Sequence, residues 1–211
     1  TAMGVADDVY IATDDDRIAD VVRAFGGQVC MTKATHDNGT ERLAELVDTL
    51  ELPDDEIIVN VQGDEPLIDP ALITLVGQKL AAAPDAHLAT AADVITDASA
   101  LNDPNIVKVV CAKDGSAHYF SRACIPHDRD GSDTPEQHPY LRHIGIYAYR
   151  AGTLRQLIKL APAPTEQLEK LEQLRALHQG VRIHVADACE QVPGGVDTTE
   201  DLQRMQALLG A

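Results

Sequence analysis

The chain has 211 residues, 45% hydrophobic and 24% charged, enough apolar material for one α/β domain with a core and too much for a disordered chain. A formal charge of −17 excludes binding of nucleic acid or anionic lipid through the general surface, and no apolar run reaches membrane-span length. Any site for an anionic substrate must concentrate its few basic residues or borrow a metal ion.

Thr1–Val9 lacks the basic and apolar regions of a secretory leader, so a cytoplasmic protein is expected. Cys30, Cys111, Cys124 and Cys189 are not spaced as a zinc or redox pair and are expected as buried or half-buried thiols. Val9–Ala12 predicts a strand, closed by Thr13-Asp14-Asp15-Asp16. Ile18, Val21, Val22 and Phe25 recur at helical spacing, and Gly26-Gly27 stops that helix. Val29–Met31 is a short strand and Asp37-Asn38-Gly39 a turn; Thr40 then caps a helix with Leu43, Leu46, Val47 and Leu50 inward. Ile57–Val61 is nearly continuous in apolar residues, which predicts a buried central strand. Asp69-Pro70 opens the next helix and Leu88–Val94 forms the next strand. This alternation implies a parallel sheet covered by helices on both faces.

The middle of the chain changes character. Val107–Cys111, a Lys113-Asp114-Gly115 turn and Ala117–Phe120 predict an antiparallel hairpin, and Pro126–Pro139 a loop. Ile144–Tyr149 is a strand, and Leu154–Leu160 and Glu166–His178 are helices, the second ended by Gly180. Val181–Ala186 is the last strand, and Thr198 caps a final helix with Leu202, Met205 and Leu209 inward. The organisation is a single domain over 1–211 with a β-rich insertion at about 107–149, making the sheet mixed overall.

Three stretches carry candidate chemistry. Gln62-Gly63-Asp64-Glu65-Pro66 follows a strand, where open α/β sheets bind ligands. Gly63 is expected to turn the backbone where a side chain would clash, and Asp64 to be a Mg²⁺ ligand or a turn acid. Gly194-Gly195-Val196-Asp197-Thr198 places Asp197 at the mouth of a helix as a second ligand or a turn acid; Asp201 completes a capping box with Thr198. Asn38-Gly39-Thr40-Glu41-Arg42 feeds a helix N-terminus, which offers free N–H groups to a base edge or phosphate.

With Tyr119-Phe120-Ser121-Arg122, Leu141-Arg142-His143-Ile144-Gly145-Ile146-Tyr147 and Leu171-Glu172-Gln173-Leu174-Arg175, these motifs occur in an order that resembles the 3-deoxy-manno-octulosonate cytidylyltransferase family, from about Val9 to Leu208. The resemblance implies a three-layer α/β nucleotidyltransferase fold, a Rossmann-like mixed sheet with a β-rich dimerisation insertion. It implies a cytoplasmic, Mg²⁺-dependent homodimer that joins CMP from CTP to the sugar acid KDO, releases pyrophosphate and supplies lipopolysaccharide synthesis. By the same resemblance Asp64 and Asp197 hold the metal and carry catalysis. Gln62, Arg122, His143, Tyr147, Glu169 and Gln173 line the sugar pocket, and Asn38, Gly39, Thr40 and Arg42 meet the nucleotide.

Arg122 suits a two-pronged grip on the KDO carboxylate. Glu169, Glu172 and Gln173 are expected to share one helix face. Members of that family open with a strand and an Arg- and Lys-bearing loop that holds the CTP phosphates, and no such motif precedes Val9 here. The chain as written is therefore expected to fold without turning over. The alternatives are a cytidylyltransferase for another sugar acid and a non-catalytic dimeric fragment.

Overall fold

A computed structural model describes residues 5–36, 38–131, 139–188, 196 and 198–209. In chain order the elements are β1 (Tyr10–Thr13), α1 (Asp16–Ala24), β2 (Gln28–Met31), α2 (Gly39–Thr49), β3 (Ile57–Asn60), α3 (Pro70–Ala81), β4 (Leu88–Val94), α4 (Ala98–Leu101), β5 (Lys108–Cys111), β6 (Ala117–Ser121), β7 (Leu141–Arg150), α5 (Ala151–Leu157), α6 (Pro164–Glu169), α7 (Gln173–His178), β8 (Ile183–Asp187) and α8 (Thr199–Leu209).

The ten-residue β7 organises the main sheet. Its first residues pair with β5 and its last with β3, both antiparallel, while β4 runs antiparallel along its other side. β8 pairs parallel with β4, and β6 closes the far edge against β5. β1 and β2 form a separate parallel pair. The sheet is mixed, as the motif resemblance implied, and not the all-parallel sheet that the early alternation implies.

Strand alternation sends side chains to two cores. Ala89, Ala91, Ile144, Ile146 and Ala148 meet Leu72, Val76 and Leu80 of α3. Leu88, Ala92 and Tyr149 meet Leu46 and Val47 of α2, Leu154 and Leu157 of α5 and Leu174 of α7. Helices thus cover both faces, giving three layers. The small residues of β4 let α3 lie close on one side while the tyrosines of β7 fill the other.

Several sequence expectations change here. Ile57–Asn60 pairs only with β7 among the described strands, and Val61 lies beyond the strand at 36% exposure. The continuous apolar run reports that both faces are covered, Val59 against α3 and Ile58 against the other core; it does not report lateral pairing. On α1 only Ala19 and Val22 are buried, while Ile18, Val21 and Phe25 stand 48%, 64% and 71% exposed. The cap of α2 is Asn38, whose side chain accepts the Glu41 N–H at 3.0 Å; Thr40 lies inside the helix. A Cβ on Gly63 would meet no atom within 4 Å and its φ is not positive, so no clash demands glycine there.

The single helix expected over Glu166–His178 is two, broken at Lys170, which adopts φ 55°. The buried Glu166 holds the pieces together. It accepts the Ala163 N–H at 3.0 Å and a two-pronged grip from Arg175 at 2.9 and 2.6 Å. Gly180, at φ 76°, ends α7 as expected. On α8 Met205 is buried but Leu202 is 47% exposed. Cys30 is buried and Cys111 and Cys124 are half-buried free thiols. Asp37, Cys189, Asp197 and residues 132–138 of the expected loop lie outside the described residues.

Candidate active site

The helix that Asn38 caps begins beside the carboxyl end of β3, and one face of β7 runs beneath both. These elements and the α6–α7 break enclose a cavity of about 400 Å³, within the range of small-ligand sites. Asn38, Gly39, Thr40, Gln62, His143, Tyr147 and Gln173, all marked in the sequence, line it together.

The β7 wall is aromatic. Residues 143, 145, 147 and 149 share a face by strand alternation, and all four line the cavity. The Phe120 and His143 ring centroids lie 5.0 Å apart, edge to face; His143 and Tyr147 follow at 5.4 Å, and Tyr147 and Tyr149 stack at 5.7 Å. Burial pushes the His143 pKa down to about 4, so the ring is neutral, and raises both tyrosine phenols, which keep their protons. Gly145 leaves the floor between His143 and Tyr147 open, since a Cβ there would meet no protein atom within 4 Å.

The opposite wall comes from the helix break, which turns Lys170, Leu171, Glu172 and Gln173 to the cavity. The Thr40 hydroxyl donates to Glu172 Oε2 at 3.3 Å and links this wall to the start of α2. Glu172, Arg175 and Tyr149 are lining residues that sequence reasoning did not assign. Glu172 sits in the Leu171–Arg175 motif and beside Gln173, and that position was the available signal.

Glu169 is on the other side of the break and does not line the cavity. Its carboxylate accepts from Ser121 Oγ at 2.7 Å and from the Arg122 N–H at 2.9 Å, and its carbonyl accepts from Arg122 Nε at 2.8 Å. Arg122 Nη1 donates to the Pro104 carbonyl at 2.8 Å, so two of its five donors are held by backbone. Beneath them lies the fully buried Lys108, whose Nζ donates to the Asp103, Ile106 and Arg122 carbonyls at 2.9, 2.5 and 2.7 Å. Burial lowers the Lys108 pKa, and the carbonyls stabilise its charge. Arg42 is also outside the cavity lining; it bonds Thr32 Oγ1 at 2.5 Å and pairs with Asp14 at 2.8 Å, tying α2 to the ends of β1 and β2.

Asp64 is exposed on the turn after β3. Its carbonyl accepts the N–H of Val196 at 2.8 Å, although the two are 132 positions apart in the sequence. Val196, which precedes Asp197 in the sequence, therefore meets the Gln62–Pro66 turn.

The layered fold is shared with remote structures. A 4-diphosphocytidyl-2C-methyl-D-erythritol synthase superposes with a TM-score of 0.58 at 14% identity, over 95% of this chain and 79% of that one. The Cytidylyltransferase family model matches residues 2–183. The family match, carried on this fold, defines a nucleotidyltransferase of the cytidylyltransferase class.

Closer relatives narrow this. The 3-deoxy-manno-octulosonate cytidylyltransferase of Pseudomonas syringae pv. tomato is 54% identical over 211 residues, covering 98% of this chain and 83% of that protein. Its Haemophilus influenzae counterpart is 52% identical over 210 residues, covering 96% and 82%. A solved CMP:2-keto-3-deoxy-manno-octonic acid synthetase complexed with CTP superposes with a TM-score of 0.90 at 38% identity, over 99% of this chain and 84% of that one. The chain belongs to the 3-deoxy-manno-octulosonate cytidylyltransferase family.

Proposed function

We propose that this chain transfers CMP from CTP to KDO, giving CMP-KDO and pyrophosphate. The observation that carries the reading is the cavity itself. It has a helix N-terminus on one side, neutral His143 and protonated Tyr147 on a second, and Glu172 with Gln173 on a third. A base and ribose suit the Asn38–Thr40 rim, and a polyhydroxy acid suits the His143, Tyr147 and Gln173 wall. Gln62 stands between them.

In the reaction the anomeric hydroxyl oxygen of KDO bonds to the α-phosphorus. The bond from that phosphorus to the bridging oxygen breaks, pyrophosphate leaves with the electron pair, and the hydroxyl proton passes to water. The residues contribute mainly by holding the two reactants in line.

Asp64 and Asp197 are the proposed Mg²⁺ ligands. The bond from Val196, next to Asp197 in the sequence, to the Asp64 carbonyl supports this, because Mg²⁺ takes hard carboxylate oxygens alongside substrate phosphates. When bound, the ion supplies charge neutralisation at the phosphates. Arg122 is proposed to turn its remaining donors to the sugar carboxylate, with Glu169 fixing its backbone, and Arg42 to support the nucleotide rim.

A homodimer paired through the 107–149 stretch is part of the same proposal, as is a cytoplasmic role in lipopolysaccharide synthesis. Light scattering is expected to give twice the 22.7 kDa chain mass, and a mass of one chain would overturn the dimer. No helix among the described residues is long and apolar enough to cross a membrane.

The test of function is pyrophosphate release with CTP, Mg²⁺ and KDO, each omitted in turn, on this chain and on an N-terminally extended version. Release that needs all three supports the reading. Release with another sugar acid in preference to KDO would overturn it.

A further inference from the structure

β4 and β7 fall out of step at one place. Ala91 faces Ile144 but Thr90 faces Tyr147, so Gly145 and Ile146 bulge with no partner on β4. Two extra residues preserve the alternation, and His143 and Tyr147 stay on the cavity face. One group fills the bulge. The Thr90 hydroxyl, in a residue with 0% exposure, lies 2.7 Å from the Ile146 carbonyl, 3.1 Å from the Ile144 carbonyl and 3.0 Å from His143 Nε2.

A hydroxyl has one hydrogen, and carbonyls only accept. If that hydrogen went to Nε2, Oγ1 would face the Ile146 oxygen at 2.7 Å with nothing between two lone pairs. A separation of 2.7 Å is the normal length of an O–H···O bond. Placing the hydrogen on the Ile146 carbonyl leaves Oγ1 free to accept, and Nε2 must then carry the hydrogen. That arrangement makes two bonds and leaves only the longer 3.1 Å approach to the Ile144 carbonyl without a hydrogen; the other makes one bond and leaves both carbonyls facing a lone pair.

We infer that Thr90 is a positioning residue that holds His143 as its Nε2–H tautomer, so that Nδ1 is left as an unprotonated acceptor for a hydroxyl of the bound sugar. The identity of that hydroxyl rests on the proposed function; the tautomer does not. Phe120, edge to face, and Tyr147, tilted, both pack against the imidazole and fix its plane, so the remaining freedom is the choice of nitrogen. Thr90 makes that choice from the sheet interior without touching the substrate. Neutrality of the ring, held by burial, is what an acceptor role requires.

The test is ¹⁵N NMR of the histidines, eight in this chain, with the His143 signal assigned by its loss in His143→Gln. The wild type is expected to show Nε2–H at His143. Thr90→Val, which keeps shape and removes the hydroxyl, is expected to lose that fixed tautomer, and Thr90→Ser to keep it. In turnover, Thr90→Val is expected to raise KM for KDO about tenfold, the worth of one hydrogen bond, with KM for CTP and kcat within about twofold. An Nδ1–H signal in the wild type, an unchanged tautomer in Thr90→Val, or equal losses in Val and Ser variants would each overturn the assignment. If Thr90→Val does not fold, the wild-type spectrum still decides. Absence of turnover in every version would count against the reaction, and the spectrum would report on Thr90 regardless.

Discussion

The chain has two phenylalanines, and they stand in regions built very differently. Phe120, on β6, is fully buried, with its ring edge to face with His143 in the larger core. Phe25, at the end of α1, is 71% exposed, beside Ile18 and Val21. The first region surrounds a ten-residue strand paired on both sides; the second is a two-strand parallel ribbon with one helix. The binding wall is drawn from the first. Helical periodicity identifies residues that share a face, but it does not say that anything covers the face.

The sharpest break of this comparison is Phe120→Ala. Emptying a fully buried aromatic site costs about 3–5 kcal/mol, a large part of a domain's total stability. Chemical denaturation is expected to show that loss. Turnover measured where the variant remains folded is also expected to fall, because the His143 ring loses its edge-to-face neighbour. A loss under about 1 kcal/mol would mean that the sheet side of the cavity is not the rigid wall described here.

Asp64→Asn is expected to do the reverse, sparing stability and removing chemistry. The side chain is exposed on a turn, so the denaturation midpoint should hardly move. In an N-terminally extended version, removing its charge should lower turnover by about 10²–10³, the typical cost of losing one electrostatic contributor to a transition state. An Asn variant with near-normal pyrophosphate release would take Asp64 out of the site.

Much of this division was legible from residues, and the failures have physical causes. The motifs that converge on the cavity were readable because a strand end, a helix start and a β strand each carry local signals. Strand Ile144–Tyr149 was readable as a strand, but its central place was not, since pairing on both sides is a tertiary fact. The break at Lys170 carries no glycine or proline to announce it. What sustains it is the Glu166 and Arg175 pair, nine residues apart, which no helical period reveals. That break sent Glu169 to Arg122 and Glu172 to the cavity, separating residues that regular spacing placed together.

Acid should probe the buried side selectively. The folded pKa of His143 is depressed to about 4 by burial, and that of Glu166 is lowered by its hydrogen bonds from Arg175. For a depressed group, stability is fully present above the unfolded pKa and is lost as pH falls through the folded one. His143 therefore withdraws stability from about pH 6.5 down to about 4, and Glu166 below its ordinary value of about 4.5. Urea midpoints against pH should show both stages. His143→Gln should flatten the upper stage and leave the lower. An unchanged upper stage in that variant would assign it to another histidine.

The smallest effect is expected at Phe25, and its smallness is informative. Phe25→Ser removes a large apolar side chain, yet at 71% exposure there is little transfer free energy to lose, and the cost should stay within about 0.5 kcal/mol. Val22, three residues earlier on α1, is 5% exposed, and Val22→Ala should cost about 1–3 kcal/mol although it deletes far fewer atoms. The smaller deletion is thus expected to do the greater damage, within a single nine-residue helix and its C-cap and without any change of sheet. If Phe25→Ser instead costs as much as Val22→Ala, the face of Ile18, Val21 and Phe25 is covered in solution. The contrast between the two phenylalanines would then be one of neighbours and not of burial.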